Sequence, residues 1–237
     1  EFLSGQHGRA ARLQGQLAVD AQGQMLSLQA QLHYTLGAWL PYSALVPMRN
    51  AARILPGPYQ VQHCDITGHS RRSHTAPVGI YRGAGRPEAA LLMETLIDQA
   101  ARLLGLDPVQ MRLRNLIDAS AMPYRTPTGE TLDSGDFPQL LRLACERFGY
   151  DQERERQRQR RAQGEWVGLG VALYVEPCGQ GWESARVTWH ADGRVNVASG
   201  SPDQGQGHGV TFGHIAASTL GMPLAQVQVL MGDTDLC

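Results

Sequence analysis

Twice in this chain a loop with glycines at alternate positions runs straight into an apolar helical stretch that closes on Leu-Gly. The first copy has Gly83-Ala84-Gly85 and ends at Leu104-Gly105; the second has Gly205-Gln206-Gly207 and ends at Leu220-Gly221. Upstream of each lies an alternating run broken by a glycine-containing turn, the signature of a β-hairpin. A hairpin buries one face, and an amphipathic helix can cover it. The pattern predicts an α+β chain of two related units, mixed sheets with helices packed on them. Glycine loops facing one another would make a cradle for one ligand.

The first hairpin falls at residues 13–37, with the turn Asp20-Ala21-Gln22-Gly23 and a second arm at 25–34. A loop rich in Pro and Gly follows, through Pro56-Gly57-Pro58-Tyr59, and then an extended run at 59–66. The clearest helix has Ala89, Leu92, Met93, Leu96, Ile97, Ala100 and Leu104 on one face. Pro87 suits its first turn and Gly105 its stop. A second helix is expected at 108–116, a polar turn region at 123–136, and a third helix from Phe137 toward Arg161. Strands are expected at 168–176, 185–190 and 194–199, the last two joined by Ala191-Asp192-Gly193. A helix and a strand at 226–231 close the chain. The organisation reads as a first unit at 1–150, a linker or helix tail at 151–164, and a second unit at 165–237, both ends truncated.

Composition removes several function classes. The 21 basic residues, all arginine, balance 22 acidic ones for a net charge of -1. That argues against nucleic-acid or membrane-surface binding. The absence of lysine rules out Schiff-base and P-loop lysine chemistry. Cys64, Cys145, Cys178 and Cys237 are too scattered for a disulfide framework or a cluster cage, and a reducing, cytoplasmic compartment is the mild reading. No apolar run reaches the ~18 residues of a membrane span. His63, Cys64, Asp65, His69 and His74 crowd together, but their spacing matches no usual zinc pattern. The run Glu153-Arg154-Glu155-Arg156-Gln157-Arg158-Gln159-Arg160-Arg161 reads as a solvated helix end rather than an RNA-binding arm.

The glycine loops carry the best case for a site. Glycine lets backbone N–H groups approach a ligand, and a helix N-terminus adds positive potential, so both loops should suit an anionic group. Arg82 and Arg86 either clamp an anion or are surface arginines paired with Glu88 or Glu94. Gln204 and Gln206 either hydrogen-bond a polar ligand or simply keep the loop polar. A dinucleotide fold fits less well, because the third glycine falls early and the strands before it read as a hairpin.

The stretch Tyr81-Arg82-Gly83-Ala84-Gly85-Arg86-Pro87-Glu88-Ala89, with Glu94, Asp98, Ala101, Leu104-Gly105, Asp107-Pro108, Arg112 and Asn115-Leu116, resembles a signature of molybdenum hydroxylase large subunits. Asp203-Gln204-Gly205-Gln206-Gly207-His208, with Ala217, Leu220-Gly221 and Gly232-Asp233-Thr234-Asp235, resembles a second signature of that family. Glu1-Phe2-Leu3-Ser4 is similar to the end of a third element. The family comprises xanthine dehydrogenases, aldehyde oxidases and carbon monoxide dehydrogenases. The resemblance implies a molybdopterin cofactor, in bacteria often the cytosine dinucleotide form, contacted by Arg82, Gly83, Gln204, Gly205, Gln206 and Gly207. It also implies hydroxylation with water as oxygen source, electrons passing to iron–sulfur clusters and FAD on partner subunits or domains, and an oligomeric whole. The family's glutamate base would lie beyond Cys237, so no catalytic residue and no metal ligand is expected here, and the stretch alone should be inactive. Ala84 stands where xanthine dehydrogenases place an aromatic residue, and the loop lacks the cysteine of carbon monoxide dehydrogenases. An aldehyde or N-heterocycle is the expected substrate. A non-catalytic scaffold of the same fold and a nicotinamide-binding domain are the alternatives.

Overall fold

The computed structural model describes residues 5–177 and 182–236, and it divides into two compact units, Glu1–Glu176 and Pro177–Cys237. Cys178, Cys237 and the Glu1–Ser4 element lie outside the described residues.

In the first unit, β1 (Ala11–Val19) pairs antiparallel with β2 (Met25–Thr35). Asp20 makes the turn, its carboxylate accepting from the N–H of Gln22 at 2.9 Å and of Gln24 at 2.8 Å. The chain then forms α1 (Val46–Ile54) before returning as β3 (His63–Arg71), parallel to β2. Helix α1 was not foreseen, because the stretch reads as a loop; Pro47 in its first turn, Ala51 and Ile54 are its buried residues. The extended run expected at 59–66 becomes a strand only from His63.

Helix α2 (Arg86–Leu104) covers this sheet with the face its periodicity predicts, burying Ala89, Met93, Leu96, Ile97, Ala100 and Ala101. Gly15 on β1 permits the contact: a Cβ there would meet Leu96 at 3.0 Å and Leu92 at 3.2 Å. Gly105 ends α2 in the left-handed region (φ 67°), as expected of a glycine stop. Helix α3 (Pro108–Leu113), capped by Asp107, stops three residues short of the expected span. The polar region 123–136 contains a small hairpin, β4 (Tyr124–Arg125) with β5 (Thr131–Leu132).

The expected long third helix is two helices, α4 (Phe137–Phe148) and α5 (Tyr150–Ala162). Gly149 between them has φ 70°, which α-helical geometry does not admit. Charged pairs lace α5, Glu153 with Arg156 and Glu155 with Arg158, as a solvated face should show. Residues 168–176, expected to be a strand, form none. Their odd-numbered members from Leu169 to Val175 are partly buried and the even-numbered ones exposed, but no ladder partner among the described residues completes a sheet.

In the second unit, β6 (Ala185–Trp189) pairs antiparallel with β7 (Val195–Ser199), the hairpin expected there. Helix α6 (His208–Leu220) then crosses over to β8 (Val227–Met231), which lies parallel to β7. Val195, Val197, Ala198 and Ala217 are its buried core. No helix among the described residues is long and apolar enough to cross a membrane.

Candidate functional site

The first glycine loop is held by its own chain. Ala84 N–H donates to the Tyr81 carbonyl (2.7 Å) and Arg86 N–H to that of Gly83 (3.0 Å). Gly83 (φ 98°) and Gly85 (φ 92°) have positive φ, and Ala84 joins them at 34°. A Cβ on Gly85 would meet the Pro47 carbonyl oxygen at 2.0 Å, and one on Gly83 would meet the Pro87 ring at 2.9 Å. Close packing on α1 and on Pro87 therefore accounts for these glycines before any ligand is invoked. Arg82 is exposed, and its carbonyl accepts from Arg9 Nη2 at 2.8 Å. Arg86 lies 3.4 Å from Glu176, not beside Glu88 or Glu94. Glu88, at the start of α2, is buried with neither carboxylate oxygen bonded.

The second loop differs. Gly205 (φ 98°) and Gly207 (φ 79°) need glycine for backbone conformation, and a Cβ on either would face open space. Asp203, quoted in the second signature but given no role there, organises the loop: Oδ1 accepts from Gly205 N–H at 2.8 Å and from Gly207 N–H at 3.3 Å. Those donors hold its carboxyl below the usual carboxylate range. The anion expected at the head of α6 is thus supplied by the chain itself, and a phosphate would have to displace it. An aspartate two residues before a loop glycine was the available signal. Gln206 is also turned inward. Its Oε1 accepts from Gln204 N–H at 2.6 Å, and its Nε2 donates to the Pro202 carbonyl at 3.2 Å. Within the second unit, then, Gln204, Gly205 and Gln206 are exposed and Gly207 half-buried in one loop, while Arg82 and Gly83 belong to the first unit.

Much of the longer signature is structural. Arg112 is fully buried; its Nε and Nη2 lie 2.9 and 2.8 Å from Glu94 Oε2, and its Nη1 lies 2.8 Å from Asp98. Tyr59 donates to the other Glu94 oxygen at 2.6 Å. Burial, then the Glu94 charge, pushes the Tyr59 phenol well above its ordinary range. Asn115 ties α3 to the first hairpin, accepting from Met25 N–H (2.8 Å) and donating to the Gly23 carbonyl (2.8 Å). The suspected zinc cluster disperses along β3, whose rise of about 3.3 Å per residue puts His63 and His69 roughly 20 Å apart. Burial pushes the Cys64 thiol up to about 11. No metal-holding group of three such side chains exists among the described residues.

Two small mixed sheets, each an antiparallel pair joined by a parallel strand across a helix, define an α+β protein with glycine loops at helix heads. Family models described as molybdopterin cofactor-binding domain match residues 1–116 and 143–237. The chain is 30% identical over 99% of its length to the 6-hydroxypseudooxynicotine dehydrogenase complex subunit gamma of Paenarthrobacter nicotinovorans, covering 30% of that protein. It is 27% identical over 98% of its length to the nicotine 6-hydroxylase large subunit of the same organism, again covering 30%. Quinoline 2-oxidoreductase from Pseudomonas putida 86 superposes with a TM-score of 0.91 at 32% identity, over 98% of this chain and 31% of that one. The chain belongs to the molybdopterin-binding large-subunit family that includes xanthine and carbon monoxide dehydrogenases. It spans about a third of the length of these relatives.

In the second loop the donors and acceptors are amides and backbone groups, and in the first unit Arg82 and Gly83 offer a guanidinium and main chain; each set is of the kind that suits the polar edge of a pterin rather than a metal ion. The open space beside Gly205 and Gly207 leaves room for a group to lie against the main chain.

Proposed function

We propose that this chain is the cofactor-holding part of a molybdenum hydroxylase large subunit that oxidises an N-heterocycle or, as second choice, an aldehyde. The observation that carries the proposal is the exposed loop at Gln204–Gly207, built from amides and main chain, in a fold matched along nearly its whole length by quinoline 2-oxidoreductase. Quinoline and nicotine, the targets named for two of the similar proteins, are N-heterocycles other than purines, and they support that substrate class. When bound, molybdopterin would supply the two-electron oxidation with water as oxygen source; electrons would leave for iron–sulfur and FAD partners. The cytosine dinucleotide form suits this reading.

The chain's own contribution is orientation and hydrogen bonding. Gly205 and Gly207 allow close approach, Asp203 fixes their N–H groups, and the Gln206 amide exchanges its internal partners for the pterin edge. Arg82 and Gly83 would hold the cofactor from the first unit. The test uses the full-length subunit with its partners, a quinoline-type heterocycle and an aldehyde, in 18O-labelled water. Stoichiometric molybdenum and label in the hydroxylated product are expected. Absence of molybdenum, or oxygen drawn from O2, overturns the proposal.

A further inference from the structure

The outer face of the first sheet carries a second charged feature, remote in role from the glycine loops. Strand register places Arg12 of β1 beside His33 of β2, His33 beside His69 of β3, and Thr35 beside Arg71. The His33 and His69 rings stack, with centroids 5.1 Å apart and planes 15° from parallel. These residues line one shallow groove of about 580 Å³, with Gln14 and Thr35 adding polar groups. Neither Arg12 nor Arg71 has an acidic partner among the described residues. The nearest acid on this face, Asp65, lies four residues back along β3 and takes a bond from Gln29 at 3.1 Å. Arg72, next in sequence, is directed to the Ala38 carbonyl. A chain of net charge -1 thus gathers, on one patch, two imidazoles and two guanidiniums that have no acidic partner among the described residues.

We propose that this groove binds a tetrahedral oxyanion, a sulfate or phosphate group, between Arg12 and Arg71 over the His33–His69 stack. Guanidiniums offer forked donors matched to such oxygens. The imidazoles add two N–H donors.

Sulfate is the decisive probe, because its own charge is constant near neutral pH. Titration calorimetry on the full chain at matched ionic strength should show saturable sulfate binding. Arg12→Gln with Arg71→Gln should weaken binding about tenfold or more, with circular dichroism unchanged because both side chains are exposed. His33→Gln with His69→Gln should weaken binding as well, by removing the stack that floors the groove. Inorganic phosphate and glycerol phosphate separate the sources: equal affinity means the free ion suffices, and a tighter monoester means the groove reads a phosphorylated molecule; both support the site. Sulfate no better than chloride, sulfate binding that survives the arginine double variant, or binding only of an acidic peptide would overturn it.

Discussion

Replacing Arg112 with methionine should damage the first unit far more than the ion pair's own worth implies. At an effective dielectric near 20, unit charges about 3–4 Å apart attract by about 4–6 kcal/mol. Withdrawing both from water costs several kcal/mol per ion, so the intact pair is close to neutral. Arg112→Met removes only one side of that balance. It leaves the Glu94 carboxylate, whose side chain is 9% exposed, with the Tyr59 hydroxyl as its remaining side-chain partner. A stranded buried charge of this kind costs about 3–5 kcal/mol. Asp98, at 39% exposed, rehydrates and adds less than about 1 kcal/mol. Domains are stable by about 5–15 kcal/mol, so a third or more of the first unit's margin would go. Arg112→Met with Glu94→Met removes both charges and leaves only the Tyr59 hydroxyl wanting, about 1–3 kcal/mol. The double variant should therefore be more stable than Arg112→Met alone. Hydrogen exchange of the buried α2 amides reads the first unit without interference from the second. A loss below about 1 kcal/mol in Arg112→Met, or strict additivity in the double variant, would refute the reasoning.

Two further outcomes follow from single side chains. Gly149→Ala should cost about 1 kcal/mol in thermal melts through its left-handed backbone, since a Cβ there meets nothing closer than Gln152 at 3.9 Å, and Gly149→Asn should recover part of it. An alanine as stable as glycine would mean that α4 and α5 can run on as one helix. Burial, then the Asp107 carboxylate 3.0 Å away, pushes the Tyr150 phenol from 10.0 up to about 12. The raised value favours the neutral phenol in the fold, so its contribution is full below pH 10 and fades as pH rises toward 12. Tyr150→Phe should thus cost about 1 kcal/mol at neutral pH, a deficit that shrinks over that alkaline window in denaturant titrations; a pH-independent deficit would exclude the coupling.

Helix α2 was legible because its apolar face is long and strictly periodic and both ends carry glycine. Helix α1 was not: nine residues with three buried side chains and no side-chain cap, in a Pro- and Gly-rich setting, give too short a signal. The alternation at residues 168–176 reported a real difference in burial, but periodicity names the buried face and not the strand that must share the ladder. Signature residues of the first unit serve the fold. Glu94, Asp98, Arg112 and Asn115 carry chemistry-bearing side chains, yet they brace helices and a hairpin from inside. The second glycine loop, conversely, was visible in its glycines, while its organiser Asp203 is a single ordinary residue whose role appears only when the loop closes on it.

The repetition read from the sequence is real in the sheets and deceptive in the loops. β1-β2-β3 and β6-β7-β8 share one order, with an antiparallel pair and then a parallel strand. In the second unit the glycine loop and α6 lie between the second and third strands, forming a βαβ crossover that the hairpin reading had argued against. In the first unit that slot is filled by α1, and the glycine loop and α2 come after the third strand. The counterpart of α6 in the first sheet is thus α1, which the sequence concealed, and not α2, which it displayed. Their glycines answer to different demands as well: Gly85 to the Pro47 carbonyl 2.0 Å from any added Cβ, Gly205 and Gly207 to backbone conformation in open space. A substitution at Gly85 should fail by unseating α1, and one at Gly207 by deforming a loop that Asp203 and Gln206 hold shut, so equal losses of activity at the two positions would have separate physical causes.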